Sequence, residues 1–330
     1  MSWRRSWKRP GGKNDPERRG AAVAVLRQES EICRLKKGDR VGLIACSDAR
    51  PDSDREKIGK LCGILRNAGL KPVCGDLLFG ENGQTAPAKE RARELMGFYR
   101  DPSVRAIFDV SGGNLANGLL PWLDFRAIAE SEKLFWGYSD LTALIGAILS
   151  RSGRPSALWQ IRNLLEDDPA AGGQLQRFIG SVLGEGCSLF APECRMLRGA
   201  RMEGVAAGGN IRCLLKLAGT PFWPDPSGKI LVLEARSGGA YLIETMLCQL
   251  AQTGAFSRAV GVLLGTFTEL DREGKGAFAE EMVLELTPPG LPVAKTAEVG
   301  HGKDSRAILI GGRAVLERET DPFCSADRLL

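Results

Sequence analysis

The sequence predicts an α/β protein with a mostly parallel sheet in its N-terminal half, on three observations. Apolar runs of strand length lie at residues 40–46, 70–74, 104–110 and 134–136. Stretches with apolar residues at helical spacing occupy residues 54–68, 89–99 and 141–149. Turn chemistry separates them, as at Lys37-Gly38-Asp39 and Ser111-Gly112-Gly113. Strands that alternate with helices need crossover connections, and these cover both faces of a parallel sheet.

Taken in order, residues 1–36 read as a basic, disordered tail. An Arg4-Arg5 pair is not followed at once by an apolar stretch, and residues 21–26 are too short and too late for one. Residues 37–155 form the first domain; within it the helix at 89–99 should bury Ala92, Leu95, Met96 and Phe98. Residues 156–200 mix Gly, Pro and short helical pieces and read as a linker that also covers the site. Residues 201–330 carry short strands, among them 229–235, glycines and one clear helix at 240–251, a β-rich second domain of smaller size.

The formal charge of +5 is local. Residues 1–19 hold seven basic residues against two acidic ones, which is the whole excess, and the rest has 38 of each. A folded nucleic-acid binder carries its basic stripe on the fold, so no nucleic-acid partner is expected. No run of about 18 apolar residues exists, so no membrane span is expected either. The nine cysteines form no C-x-x-C pair and are odd in number, which suggests neither a zinc site nor a disulfide lattice. Thiols in this number point to the cytoplasm.

Four segments could carry chemistry. His301, the only histidine, sits between Gly300 and Gly302, as a solvated loop residue or as the one available neutral-pH base. In Phe135-Trp136-Gly137-Tyr138-Ser139-Asp140-Leu141 an apolar strand runs into Gly-x-Ser and then a helix, the context of a nucleophile elbow. The second glycine of that motif is replaced by Leu141, and Ser139 and Asp140 serve equally well as a helix cap. Gly112-Gly113-Asn114 follows a strand and could offer free amides to an oxyanion, or be a simple turn. Glu234 ends an apolar strand, where an acid must be solvated, paired or functional. A cysteine hydrolase built on Cys46 and His301 is a further possibility, since Cys46 also ends a strand.

Together these segments resemble the LD-carboxypeptidase family, peptidase family S66, which includes the microcin-immunity peptidases. The motifs run in order from Gly38-Asp39 through Gly112-Gly113-Asn114, Leu119-Leu120-Pro121-Trp122 and Gly137-Tyr138-Ser139-Asp140. They continue with Gly208-Gly209-Asn210, Gly219-Thr220-Pro221, Leu231-Val232-Leu233-Glu234, Gly265-Thr266-Phe267, Leu291-Pro292-Val293 and Gly300-His301-Gly302, so that residues 36 to 316 are covered.

The resemblance implies a Rossmann- or flavodoxin-like N-terminal domain carrying the serine, and a C-terminal domain carrying the acid and the base, with the site between them. It implies a serine peptidase with Ser139, His301 and Glu234 as triad and no metal or cofactor. Amides of Gly113 and Asp140 become the oxyanion-hole candidates, and Asn114, Trp159 and Gln160 the substrate-lining candidates. The expected partners are a small peptide or peptidyl-nucleotide substrate and a second copy of the chain. The first reading is cleavage of an L,D-amide in murein peptides; the second is immunity-type hydrolysis of a peptidyl-nucleotide or acyl-adenylate, toward which Asn114 leans. A catalytically inactive peptide binder is the third. The chain departs from the family at Ser111, where many relatives have Arg, and at Leu158-Trp159-Gln160-Ile161, where many have His-Gly-Pro.

Overall fold

The computed structural model describes residues 23–29, 34–80, 84–166, 173–184, 186 and 188–318. Two short strands, β1 (Val23–Val25) and β2 (Arg27–Glu29), come first. Five parallel strands follow: β3 (Arg40–Ile44), β4 (Lys71–Cys74), β5 (Val104–Asp109), β6 (Leu134–Gly137) and β7 (Ser156–Leu158). Their spatial order is β4-β3-β5-β6-β7. This is the flavodoxin-like order, in which the direction of strand addition reverses between β3 and β5 and opens a crevice at the strands' carboxyl ends. The sequence dictates the parallel arrangement. Strands β3, β5 and β6 are almost wholly buried runs, as strands covered on both faces must be.

The connecting helices fall close to where their periodicity puts them, at Arg55–Asn67, Ala88–Arg100 and Thr142–Ser152. In the second, Ala92, Leu95 and Met96 are buried as expected. Tyr99 takes the fourth buried position, and Phe98 is only half-buried. The Phe98 ring instead lies over Gly42 of β3, where an added Cβ would come within 2.7 Å of it. The helix Thr142–Ser152 is buried at seven consecutive positions, Thr142 to Ile148. A helix apolar all round must be enclosed, and this one packs against both β7 and the strand Arg201–Asn210.

Strands β8 (Glu193–Arg198), β9 (Arg201–Asn210), β10 (Lys229–Ala235), β11 (Gly261–Phe267), β12 (Val293–Lys295), β13 (Ile308–Ile310) and β14 (Arg313–Glu317) complete the count. The second sheet has eight strands in the order β1-β8-β12-β11-β10-β9-β14-β2, with a parallel centre, β9 to β12, and antiparallel flanks. Helices Ala240–Gln252 and Ala277–Leu286 pack together on one face of it, around Leu233, Ile243, Leu247, Val262 and Val283.

The second sheet has eight strands and the first has six. Two expectations change. The expected tail ends before residue 23 at the latest, because β1 pairs with β8 and β2 with β14, burying Ala24 and Leu26; residues 1–22 lie outside the described residues. The segment 156–200 is not merely a linker, since it supplies β7 to one sheet and β8 to the other. In return β13, from the far end of the chain, closes the first sheet against β7. The two domains therefore exchange strands, and this fixes the relative position of residues that the next section brings together.

Candidate active site

Ser139 begins a single 3-10 turn, Ser139–Leu141, between β6 and the buried helix. Its φ is 55°, and among the described residues it is the one non-glycine in the left-handed region. Such a backbone costs a non-glycine residue free energy, and it lifts the side chain out of the sheet as a nucleophile elbow does. The missing second glycine has a structural explanation. Leu141 is fully buried and folds back over Gly137, where an added Cβ would lie 2.7 Å from Leu141 Cβ. The close approach is therefore made at Gly137, and position 141 is free to be apolar.

Buried polar groups hold the loops around it. Asp109, at the end of β5, accepts hydrogen bonds from the Cys46 amide (2.6 Å) and the Ser111 amide (2.7 Å) and hydroxyl (2.5 Å). It thereby joins the loops on either side of the reversal point. Burial pushes its carboxyl up, against the pull of these donors. The Arg91 guanidinium, also buried, donates to the carbonyls of Cys46 and Ser47. Asp140 is fully buried and accepts from Ser47 Oγ (2.7 Å), the Ala116 amide (2.9 Å) and Lys216 Nζ (2.5 Å). Burial raises its pKa, but the bonds from Lys216, Ala116 and Ser47 outweigh that and hold it below the ordinary aspartate value.

A lowered carboxylate stabilises the folded state above the unfolded pKa and loses that contribution as pH falls through the folded value. Asp140→Asn should therefore lose on the order of 3 kcal/mol at pH 7, the cost of leaving one partner of a buried pair behind. In denaturant titrations the gap to the unmodified protein should narrow as pH falls below about 4. A gap independent of pH would show that the charge of Asp140 is not what holds the loops.

The acid and the imidazole come from the second domain. Glu234 ends β10 and is fully buried. His301 Nδ1 lies 2.8 Å from Glu234 Oε2. An ionised carboxylate only accepts, so Nδ1 carries the proton and donates. That leaves Nε2 as the basic nitrogen, and Nε2 is buried with no hydrogen-bond partner. The Tyr138 ring packs against the imidazole with centroids 4.4 Å apart. Gly300 is required by this placement: its φ is 143°, and an added Cβ would collide with Thr266 Oγ1. The Asn210 amide at the end of β9 donates to Thr142 Oγ1 (3.0 Å), tying the serine's helix to the strand beside Glu234.

Ser139 and His301 line one cleft of about 490 Å³, together with Gly112, Gly113, Gln160 and Arg162. The predicted residues divide clearly. Ser139, His301, Gly113 and Gln160 face the cleft, and Glu234 stands behind His301. Trp159 does not line it: its ring is buried against Trp136 and Phe178, and its indole N–H donates to the Ser305 carbonyl. Asn114 is exposed outside it, with its side chain accepting from Arg212 (2.7 Å). Cys46 is fully buried, and burial and then Asp109 push its thiol well above the ordinary value, which leaves it protonated and inert. Sequence reasoning missed the cations that share the cleft: Arg50, Arg162, Arg236, Arg272 and Lys303.

Ser139, at a strand–turn–helix junction, shares a cleft with an imidazole held by a buried acid, an arrangement that suits a serine hydrolase of α/β architecture. Residues 41–158 match the LD-carboxypeptidase N-terminal domain and residues 203–316 its C-terminal domain, so the chain belongs to the LD-carboxypeptidase family and is a serine peptidase. It is 30% identical over 290 residues to the probable murein peptide carboxypeptidase of Bacillus subtilis, covering 86% of this chain and 90% of that protein. The structure of muramoyltetrapeptide carboxypeptidase from Oxalobacter formigenes superposes with a TM-score of 0.68 at 27% identity, over 86% of this chain and 99% of that one. The Microcin C7 self immunity protein MccF in complex with aspartyl sulfamoyl adenosine superposes with a TM-score of 0.73 at 20% identity, over 87% and 98%, a likeness of fold.

Proposed function

We propose that the chain cleaves the L,D-amide that links a terminal D-amino acid to a murein-derived peptide, with Ser139 as nucleophile. The observation that carries this is the unpartnered His301 Nε2, on an imidazole that is held by the Nδ1–Glu234 bond and lines the cleft that Ser139 shares. His301 takes the Ser139 proton as the hydroxyl attacks the amide carbon, and Glu234 stabilises the imidazolium that forms. The oxyanion is met by the amides of Gly113 and Asp140. Two features support Gly113 in that role. Its carbonyl is turned toward Arg212, which donates to it at 3.1 Å, and its φ of 132° suits only glycine. The imidazolium then protonates the leaving amine, and water repeats the sequence on the acyl-enzyme.

The murein reading is supported by the Bacillus relative at 30% identity. The immunity-type reading is supported by the fold likeness to MccF, but Asn114, the residue that leaned toward it, lies outside the cleft. The cytoplasmic setting and the homodimer belong to the same proposal. The first rests on the free thiols of Cys46, Cys62, Cys74, Cys194, Cys213 and Cys248, the second on the family resemblance. Among the described residues no helix is long and apolar enough to cross a membrane.

A hydrolysis assay offering murein tetrapeptide and an aspartyl-adenylate side by side tests the choice. Release of the terminal D-amino acid with the adenylate untouched is the expected result; the converse moves the chain to the immunity branch.

A further inference from the structure

We propose that Arg162, with Arg50 beside it, takes the carboxylate of the departing residue and so selects substrates with a free C-terminal carboxylate. The proposal rests on the carboxypeptidase reading above. Arg162 sits on the 3-10 turn Ile161–Leu165, directly after β7. That turn is rigid: Ile161 and Leu164 are buried, and Gln160 Oε1 accepts from the Arg162 amide at 3.2 Å. Arg162 lines the cleft shared by Ser139 and His301.

Within the protein this cation is left unanswered. Its Nε is buried with no hydrogen-bond partner, and among the described residues no carboxylate forms an ion pair with it. The acids whose charge it feels are engaged elsewhere or exposed. Asp54 is held by Arg50 and Lys57, Asp109 by the Cys46 and Ser111 donors, and Glu166 is exposed at the end of the turn. Burial first, and the neighbouring charge of Arg50 second, push the Arg162 guanidinium below its ordinary pKa.

A buried donor without a partner is costly, and two guanidiniums side by side repel. One ligand relieves both penalties: a planar anion able to take forked N–H donors, which is the geometry of a carboxylate. A carboxypeptidase substrate offers that group on the residue it loses. Arg162 would also supply the discrimination that a simple amide hydrolase lacks, because an internal amide cannot satisfy the fork.

The test uses two phosphonate esters that react with an active serine and differ only in the leaving group, which carries a carboxylate in one and a carboxamide in the other. Labelling rates are measured on the full chain, unmodified and as Arg162→Gln and Arg162→Lys. The unmodified protein should react about tenfold or more faster with the carboxylate probe, in line with a charge-assisted bond. Arg162→Gln should bring the ratio near one while the carboxamide rate holds, and Arg162→Lys should restore part of it. A ratio near one in the unmodified protein, an unchanged ratio in Arg162→Gln, or equal loss of both rates overturns the proposal. The probes contain no murein, so a chain that ignores murein tetrapeptide yet shows the ratio sinks that substrate reading and leaves Arg162 in its role.

Discussion

Ser139→Ala should reduce hydrolysis by about four to six orders of magnitude, the loss commonly seen when a triad nucleophile is removed. The protein should stay folded and still bind substrate. The side chain loses only a hydroxyl, no described hydrogen bond depends on it, and the left-handed backbone at φ 55° is imposed by Gly137, Leu141 and the buried helix rather than by the serine. Turnover by single-turnover kinetics and folding by thermal melting separate the two effects. A variant that keeps more than a few per cent of the rate would move the nucleophile elsewhere.

His301→Gln should cost nearly as much, because the serine has no other base. Its loss should also change the shape of the pH–rate profile. The chain has a single histidine, so a limb that falls toward acid in the range where imidazoles change charge has one imidazole to come from. Activity requires the neutral base, so the rate should rise with pH along that limb and the limb should vanish in the variant. Among the described residues one thiol could imitate the signal. Cys62 is pulled down to about 7 by its hydrogen bond with Cys74, the two sulfurs being 3.8 Å apart. Cys62→Ala separates the two, since it should leave the limb in place. A limb that survives His301→Gln and disappears with Cys62→Ala would remove the histidine from the mechanism.

Much of this site could be read in the sequence, because its parts are local. An apolar strand running into Gly-Tyr-Ser and then an apolar helix fits a nucleophile elbow or a helix cap, and the order of the other motifs along the chain favours the first. A histidine between glycines is visible by composition. Glu234 was legible because a carboxylate at the end of a run such as Ile-Leu-Val-Leu needs a reason to be there. What escaped was non-local. Strands β1, β2 and β13 have three residues each, too few for a period, and become strands only by pairing with segments far along the chain. Trp159 was a pocket candidate because its segment stands where many relatives have His-Gly-Pro, but an aromatic cluster of Trp136, Phe178 and Phe190 draws it into the core. The five cleft cations come from separate segments of the chain, so no window of sequence shows them together. The hydrogen bonds of Asp140 were hidden in the same way, since its partners lie 24, 76 and 93 positions away.

The central claim is that Ser139 is made nucleophilic by His301 and Glu234, and covalent trapping tests it most directly. The full chain is treated with a fluorophosphonate, in chelator-containing buffer, and the adduct is located by peptide mass mapping. The account predicts one label per chain, on Ser139. It also predicts that the label is greatly slowed in His301→Gln and slowed in Glu234→Gln, and absent in Ser139→Ala. A label on Cys46 or on another serine, or labelling of Ser139 that is indifferent to His301, would contradict it.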